Sequence, residues 1–412
     1  MKQRVVVLYK YTNEFKFESG HFSMHNNNND KKPSENGVDN KKSNSHSNNR
    51  QTKKNVQKRK RHVYGVVDLG TNNCRLLVAV PNPEGFRVID SFSRIVRLGE
   101  GLKKDKNISD MATERTVSAL KICKDKMIRR GVTKMWCVAT QACREAENGD
   151  HFVKTIQNQV KMELDIIDPR EEARLAVIGC KALLDTNYNR GIVFDIGGGS
   201  TEVIWIEFDG RRNPKIIDWI SIPLGVVNLS EEYGTKAALP DGHYTEMKER
   251  VKEHIVPFEE KHSITSSIAQ GKVQLMGTSG TVTTLTSMHL NQAFYDRSEV
   301  DGAWMKSRDL VDLCTDLSKM DYSERLALNN IGNDRAELVV AGCAIFDAMV
   351  DVWPIDDVRV ADRGIREGML HHLMDEQRRE NRAKRRKRSR KRYYLNRKNK
   401  NGANQAGNNE KA

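Results

Sequence analysis

The chain has 412 residues, of which 38% are hydrophobic and 30% are charged, and its formal net charge is +14. This length allows two ordinary domains, and the lack of any run of about 18 apolar residues argues against a transmembrane helix. The seven cysteines form no CxxC pair and stand near no histidine-rich run, which excludes a zinc-finger pattern and a disulfide scaffold and favours a reducing cytoplasm.

The positive charge is concentrated at the two ends of the chain. Residues 1–62 carry a net charge of +10 and residues 377–400 carry +13, whereas residues 63–376 carry −9. The stretch from Met24 to residue 62 consists mainly of Asn, Ser, Lys and Asp, which offer too little apolar surface to offset chain entropy. We therefore predict a disordered polar leader over residues 1–62, and we expect translation to begin at Met24.

The first segment with a strand pattern occurs twice in the chain. Residues 66-VVDLGTNNCRLLVAV-80 align without gaps with residues 193-VFDIGGGSTEVIWIE-207, and each copy is typical of a β-hairpin. The aspartates of the two copies, Asp68 and Asp195, are 127 residues apart, far more than a solenoid period. The repeat predicts two similar domains.

Each hairpin is followed by the same predicted order of a strand, a loop and a helix. These elements are residues 134–140, 141–144 and 145 onward in the first half, and residues 272–276, 277–281 and 282–290 in the second half. Alternating strands and helices of this kind predict the mixed α/β class.

The segment between the two halves contains a candidate catalytic acid. Residues 163–168 read as a strand, Pro169 as its stop and residues 171–184 as an amphipathic helix. Glu172 falls in the first turn of this helix, where a carboxylate is commonly just stabilised by the helix dipole. If the domains close over a bound phosphate, Glu172 instead becomes a candidate for orienting or deprotonating a water.

The turn of the second hairpin combines glycines with acids. Glycines 197–199 stand between Asp195 and Glu202. Glycines let successive N–H groups converge on an anion, and the hydroxyls of Ser200 and Thr201 add donors. The two carboxylates would repel a phosphate unless a hard cation such as Mg²⁺ bridged them.

The alternative for this turn is an ordinary glycine-rich β-turn. Two observations favour the phosphate site. Acids flank the glycines, and the repeat supplies a matching turn after Asp68, where Asn72 can donate from its amide.

Further phosphate contacts are predicted elsewhere in both halves. The GTSGT loop places Gly280 and Thr281 at a helix N-terminus, where free N–H groups favour anions, although a plain strand-to-helix turn has the same pattern. Arg97 and Arg144 are able to fork onto phosphate oxygens. Taken singly, each arginine is more often a surface ion-pair partner.

The C-terminal segment is too charged to belong to a core. Residues 377–400 hold fourteen Lys and Arg against one acid. Such a run either solubilises the protein or binds a polyanion through counterion release. We therefore divide the chain into a leader (1–62), domain I with the first acidic hairpin (63–170), domain II with the glycine-rich phosphate loop (171–376) and a basic disordered tail (377–412).

These features together resemble the exopolyphosphatase and guanosine pentaphosphate phosphatase (Ppx/GppA) family. The matching motifs occur in family order over residues 63–372 and read VVDLGTNNCRLLV, SRIVRLGEGL, ATQACREAENG, EEARLAVIG, VFDIGGGSTEV, IPLGVVNL, GTSGTVTTL and ADRGIREGML. The resemblance implies the duplicated ribonuclease-H-like fold shared with actin, sugar kinases and Hsp70. It also implies an active site in the cleft between the two domains.

The resemblance further implies metal-dependent removal of the terminal phosphate of inorganic polyphosphate, or of the 5′ γ-phosphate of guanosine pentaphosphate. The cation is expected to be Mg²⁺, with Mn²⁺ as the alternative. By motif position, Glu172 is expected to be the catalytic residue. With the patterns above, the expected metal ligands are Asp68, Asp195 and Glu202, and the expected phosphate-binding residues are Asn72, Arg97, Arg144, Gly197, Gly198, Gly199, Ser200, Thr201, Gly280 and Thr281.

The chain departs from the family pattern in two places. Its first turn reads GTNNCR where the family has GSNS and a varied residue, so Cys74 changes the local packing while Asn72 stays in place. The longer members carry a C-terminal HD-type domain, and His371 and His372 lack the spaced partners that such a domain needs. We expect the short form of the family, which resembles a homodimer.

Three alternatives stay open beside exopolyphosphatase activity. One is a guanosine pentaphosphate 5′-phosphohydrolase that makes guanosine tetraphosphate, and another is an ATP-dependent kinase of the same fold. The third is a non-catalytic regulator that binds polyphosphate or RNA, against which the acid at Glu172 argues because a pure binder has little need of it. We expect a cytoplasmic protein with no membrane partner, in which the basic tail contacts a polyanion.

Overall fold

A computed structural model describes most of the chain. The described residues are 62–236, 238–278, 280–328, 331–332 and 335–409. The predicted leader lies outside them, apart from its last residue. Among the helices of this described part, none combines the length and apolarity that a membrane span requires.

The first sheet contains five strands. They are β1 (Tyr64–Leu69), β2 (Asn73–Asn82), β3 (Gly85–Ile95), β4 (Lys134–Ala139) and β5 (Asp165–Ile166). Their order in the sheet is β3-β2-β1-β4-β5. Strands β1, β2 and β3 pair antiparallel, whereas β4 pairs parallel with β1 and β5 parallel with β4.

The second sheet repeats this plan with one strand added. Its strands are β6 (Arg190–Ile196), β7 (Thr201–Phe208), β8 (Pro214–Ile222), β9 (Val273–Thr278), β10 (Trp304–Lys306) and β11 (Asp357–Ala361). The order is β10-β11-β9-β6-β7-β8, with β6, β7 and β8 antiparallel and β9 and β11 parallel to β6. The duplicated α/β architecture predicted from the repeat is confirmed, and β3 and β8 are the strands that the hairpin pattern missed.

Fourteen α-helices are assigned within the described residues. In chain order they are α1 (Leu102–Asp105), α2 (Asp110–Arg129), α3 (Gln141–Glu145), α4 (Gly149–Val160), α5 (Pro169–Cys180), α6 (Val226–Tyr233), α7 (His243–His262), α8 (Ile264–Ala269), α9 (Gly280–His289), α10 (Arg297–Val300), α11 (Ser307–Lys319), α12 (Tyr322–Ala327), α13 (Val339–Val352) and α14 (Ile365–Asn409). A 3₁₀ turn at Lys181–Leu183 follows α5.

Helix α5 begins two residues earlier than predicted. The side chain of Asp168 caps the helix by accepting a hydrogen bond from the N–H of Glu171, and Pro169 occupies the first helical position. Proline suits this position because its missing N–H has no intrahelical partner there. Pro169 therefore starts the helix and does not end the strand as the sequence indicated, because β5 stops at Ile166.

Helix α5 is shared by both sheets. Leu175 packs in an apolar cluster with Val66 and Val138 of the first sheet, whereas Val177 packs in a cluster with Val193 of the second sheet. The first turn of α5, which carries Glu172, is consequently held between the two halves of the fold.

Helix α14 differs from the disordered tail predicted for residues 377–412. The helix begins at Ile365 and continues to Asn409. Residues 377–400 contain neither Pro nor Gly and are rich in Arg and Lys, which are good helix formers. Ile365 and Met369 anchor the start of the helix in the cluster of the first sheet, although the sequence placed this segment in domain II.

Three local predictions also need correction. The loop predicted over residues 141–144 is helix α3, because nearly all its residues favour helix. The strand predicted over residues 163–168 is reduced to the two residues of β5. The loop predicted at 277–281 is shorter, since β9 ends at Thr278 and α9 begins at Gly280.

Helices α5 and α14 approach each other closely through glycines. A Cβ atom added at Gly179 would lie 1.9 Å from the carbonyl oxygen of Gly364, and one added at Gly368 would lie 2.1 Å from the carbonyl oxygen of Leu175. Backbone atoms cannot move aside as a flexible side chain does, so these positions accept no larger residue without a shift of one helix.

We predict that Gly179→Ala lowers the free energy of unfolding by roughly 3 kcal/mol, since overpacking forces the two helices apart. Urea unfolding of the purified variant measures this loss. Gly210→Ala is the matched control, because a Cβ atom there meets nothing within 4 Å. Equal stabilities of the two variants would contradict the close packing of α5 on α14.

Candidate active site

A cleft of about 1110 Å³ lies between the two sheets. Both hairpin turns and the first residues of α9 and α14 line it. Of the residues predicted from the sequence, those that line the cleft are Asp68, Asn72, Arg97, Glu172, Asp195, Gly197, Gly198, Gly199, Ser200, Glu202, Gly280 and Thr281. Arg144 and Thr201 are the two predicted residues that do not.

The two hairpin turns meet where the second turn has its glycines. A Cβ atom on Gly198 would lie 3.1 Å from the backbone nitrogen of Asn72, and one on Gly199 would lie 2.2 Å from Oε1 of Gln141. The two turns therefore approach each other closely, and a larger residue at either glycine would require Asn72 or the Gln141 side chain to shift.

The orientation of the glycine loop is fixed by helix α6. The carbonyl oxygens of Gly197 and Gly198 accept hydrogen bonds from the N–H groups of Val226 and Val227, at 3.0 and 2.7 Å. The carbonyl oxygen of Gly199 accepts one from the Asn228 side chain at 2.8 Å. All three peptide planes are held in this way, which is the preorganisation that an anion site needs.

The two hairpins carry different charges at equivalent positions. Asp68 faces Arg75 across the first hairpin, whereas Asp195 faces Glu202 across the second. The first half therefore presents a carboxylate beside a cation, and the second half presents two carboxylates. The sequence analysis did not select Arg75 as a site residue, although the gapless repeat aligns it with Glu202.

Glu202 is buried and carries an unusual proton affinity. Its Oε1 accepts hydrogen bonds from the hydroxyls of Ser200 and Ser221, at 2.8 and 2.9 Å. Burial, together with the negative charge of Asp195, raises the pKa of Glu202 to about 7, while the two hydroxyls oppose the shift. A cation beside this carboxylate would favour its ionised form.

Glu172 is held by the arginine that the sequence assigned to phosphate. Nη1 of Arg144 donates to Glu172 Oε2 at 2.8 Å and also to the carbonyl oxygen of Ile167. Burial raises the pKa of Glu172 well above its usual range, the charge of Glu202 raises it further, and Arg144 acts in the opposite direction. The position of Arg144 is therefore that of a partner of Glu172 rather than of a phosphate ligand in this structure.

Thr201 and Arg97 also have structural partners. The Thr201 hydroxyl is buried and donates to the carbonyl oxygen of Leu224 at 2.8 Å, which explains why it does not line the cleft. Arg97 lines the cleft with a left-handed backbone (φ 47°) and lies 3.7 Å from Glu337 and 3.9 Å from Glu100. Arg97 thus joins the two halves across the cleft.

Six arginines that the sequence analysis did not select line the same cleft. Arg115 and Arg363 pair with Glu100 and Asp301. The other four have no carboxylate within 4.0 Å among the residues that the structure describes, and they are Arg75, Arg94, Arg335 and Arg366. Arg335 donates to the Thr284 hydroxyl at 2.7 Å. Burial and the nearby charge of Arg366 lower the pKa of Arg75, whereas the charges of Asp68 and Asp195 act in the opposite direction. Cations with no carboxylate in direct contact are suited to an anionic ligand.

The carboxylates do not form the three-ligand metal group expected from the sequence. Within the described part of the chain, no three His, Cys, Asp or Glu side chains are gathered for a metal ion. Asp68 stands opposite Arg75, so only Asp195 and Glu202 face each other on one hairpin. This donor set still fits Mg²⁺, which proteins commonly bind through one or two carboxylates, with water and substrate phosphate as the other ligands.

Comparisons with known proteins agree with this geometry. A family model described as the Ppx/GppA phosphatase family matches residues 77–377, a range that contains Glu172 and the glycine loop but starts after Asp68. The crystal structure of the Aquifex aeolicus member of the Ppx/GppA family superposes with a TM-score of 0.63 at 25% identity, covering 77% of this chain and 98% of that one.

Two curated relatives have a similar level of identity. The bifunctional 3-dehydroquinate synthase/phosphatase of Fusobacterium nucleatum is 26% identical over 72% of this chain and 44% of its own length. The guanosine-5′-triphosphate,3′-diphosphate pyrophosphatase of Pseudoalteromonas atlantica is 25% identical over 76% of this chain and 59% of its own length. The chain spans about half the length of the curated relatives it matches.

The family match covers well over half of the chain, and it coincides with a duplicated fold and a cleft lined by carboxylates, glycines and arginines. The chain belongs to the Ppx/GppA phosphatase family.

Proposed function

We propose that the chain is a metal-dependent exopolyphosphatase, which hydrolyses the terminal phosphoanhydride bond of inorganic polyphosphate and releases orthophosphate. The observation that carries the proposal is the presence, within one cleft, of a buried carboxylate of raised pKa at Glu172 together with four arginines that have no carboxylate within 4.0 Å among the described residues. The carboxylate of Glu172 is suited to act as a general base, and the arginines are suited to bind a chain of phosphates.

In this mechanism Glu172 accepts a proton from a water as the water oxygen attacks the terminal phosphorus in line with the leaving oxygen. The raised pKa makes the ionised form of Glu172 a stronger base, and Arg144 holds its carboxylate in one orientation. The phosphoanhydride bond then breaks, and the leaving phosphate keeps the electron pair while the cleft arginines stabilise its charge.

The glycine loop and Ser200 would hold the oxygens of the terminal phosphate. Asp195 and Glu202 would hold Mg²⁺, or Mn²⁺ as the alternative, which when bound neutralises part of the phosphate charge. Four other members of the predicted phosphate set also line this cleft, namely Asn72, Arg97, Gly280 and Thr281.

Guanosine pentaphosphate is the second candidate substrate. The observation that favours it is the similarity to the Pseudoalteromonas atlantica enzyme, which is a guanosine-5′-triphosphate,3′-diphosphate pyrophosphatase. Both substrates present a terminal phosphoanhydride, so the mechanism above serves either. Purified protein with Mg²⁺, given each substrate in parallel while orthophosphate is measured, separates the two candidates, and no release from either would contradict the proposal.

We predict that Glu172→Gln slows orthophosphate release about 10²- to 10⁴-fold, the usual contribution of a general base, while polyphosphate binding is largely kept. Initial rates and equilibrium binding measure the two effects. Glu171→Gln is the matched control, because Glu171 lies in the same helical turn but pairs with Arg174 outside the cleft. Near-normal turnover of Glu172→Gln would remove that residue from the mechanism.

Glu202 generates a prediction about stability and pH. The folded state binds the Glu202 proton more tightly than the unfolded chain does, because the pKa rises from 4.5 to about 7. The tighter binding of this proton by the folded state therefore stabilises the fold below about pH 4.5, and the stabilisation is lost as the pH rises through 7.

We accordingly expect Glu202→Gln to raise the free energy of unfolding by up to about 3 kcal/mol at pH 8 without divalent cations, with little gain at pH 4. Urea unfolding at both pH values measures the difference, and orthophosphate release should be lost. Glu207→Gln on the same strand is the control, since Glu207 pairs with Lys215 at the surface. The same effect of Glu202→Gln at both pH values would argue against the raised pKa.

We also propose that the basic part of α14 contacts polyphosphate. Truncation after Gln377 removes the segment of net charge +13 and leaves the anchoring residues up to Met374. We expect this truncation to raise KM for chains of several hundred phosphates more than for triphosphate, with a weaker dependence on salt. A variant with Lys384, Arg385, Arg386 and Lys387 changed to Gln keeps the helix length as a control for truncation. Equal KM shifts for short and long chains would refute the contact.

A further inference from the structure

Arg325 is a charged residue inside the protein that the mechanism above does not use. It belongs to α12, and its side chain is fully buried. Among the residues that the structure describes, its hydrogen-bond partners are backbone carbonyl oxygens and no carboxylate. Buried arginines usually have an ion-pair partner, because removing their charge from water is costly. The contacts of Arg325 therefore need an explanation of their own.

Each side-chain nitrogen of Arg325 donates to the backbone of a different segment. Nε donates to the carbonyl oxygen of Ala336 at 3.0 Å, Nη1 to that of Met320 at 2.9 Å, and Nη2 to that of Thr235. Met320 follows α11, Thr235 follows α6, and Ala336 precedes α13. A guanidinium group with its donors in a rigid fork thus joins three places that are separate in the chain.

The segment before α13 carries one of the cleft arginines. Arg335 is exposed and lines the cleft, whereas the next residue, Ala336, is fully buried. The hydrogen bond from Arg325 therefore holds the backbone one residue beyond Arg335. Because the donor is charged, this bond is stronger than one between neutral groups.

Glu337 adds further contacts that hold the same segment. Its carbonyl oxygen accepts hydrogen bonds from the hydroxyls of Thr235 and Ser230, at 2.6 and 3.2 Å. Its carboxylate lies 3.7 Å from Arg97 and 3.3 Å from Lys236. Side chains from other elements thus bind two successive carbonyl groups directly after Arg335, which restricts the backbone from which that arginine extends.

We infer that Arg325 is a positioning residue, which fixes the backbone at Ala336 so that Arg335 presents its guanidinium group to the phosphates of a bound ligand. The inference rests on the proposed function, in which the cleft arginines bind a chain of phosphates. Arginine binds phosphate oxygens through a planar fork whose orientation matters. A looser backbone beneath Arg335 would have to be ordered when the ligand binds, and this ordering would lower the affinity.

A double-mutant cycle tests the inference, because a residue that acts through Arg335 loses its effect when Arg335 is removed. Binding of inorganic tripolyphosphate is measured by titration calorimetry in the Glu172→Gln background, where turnover is expected to be slow. We expect Arg335→Met to raise Kd about tenfold and Arg325→Met to raise it about fivefold. When Arg335→Met is already present, adding Arg325→Met should change Kd by less than about twofold.

Arg190→Met is the matched control, because Arg190 donates to the Ser267 hydroxyl at 3.0 Å and lies outside the cleft lining. Its Kd should be unchanged. Circular dichroism checks that each variant is folded. If Arg325→Met does not fold, Arg325→Lys replaces it in the cycle, since lysine keeps the charge and loses the fork of donors. An equal rise in Kd with and without Arg335, or no rise from the folded Arg325 variant, would overturn the inference.

These results are distinguishable from a failure of the proposed function, because binding is measured apart from turnover. A loss of affinity that depends on Arg335 would support the positioning role even if no orthophosphate is released. Hydrolysis without that dependence would overturn the positioning role and leave the proposed function intact. If the Glu172→Gln protein does not bind tripolyphosphate, the inference is also overturned, since Arg335 then receives no phosphate.

Discussion

The burial of several carboxylates in one cleft is the constraint on which the rest of the site depends. Ionised acids removed from water are costly unless they are paired or neutralised. The fold stabilises each acid in a different way: an arginine forms an ion pair with Glu172, and two serine hydroxyls donate hydrogen bonds to Glu202. Burial and the charges of neighbouring carboxylates, which these donors offset only in part, raise the pKa of Glu172 and of Glu202. The same excess of negative charge favours the binding of a cation.

Close backbone contact places those acids accurately. The glycine loop approaches the turn of the first hairpin closely, and α5 meets α14 even more closely, through backbone contacts at Gly179 and Gly368. Both contacts join the two halves of the fold. The position of Glu172 relative to the glycine loop is thus set by contacts that tolerate little movement, which is what preorganised catalysis requires.

The sequence was informative wherever a local pattern or the repeat carried the signal. Period-two strands and the gapless match of the two hairpins predicted two similar domains, and the family resemblance implied that Asp68, Asp195 and the glycines share one cleft. Arg335 and Arg366 had no such signal, because their role depends on which segments the fold brings together. The assignment of Arg144 to phosphate could not anticipate its pairing with Glu172, which depends on how α3 meets α5. The composition of the basic segment favours disorder, because composition alone does not show that a helix anchored at its first residues continues through the segment.

The two hairpins also carry opposite charges at one equivalent position, with Arg75 in one and Glu202 in the other. A perfectly symmetric duplication would offer a bound molecule two indistinguishable ways to lie. Opposite charges at related places break that symmetry. The two orientations of a bound molecule across the cleft therefore differ in energy.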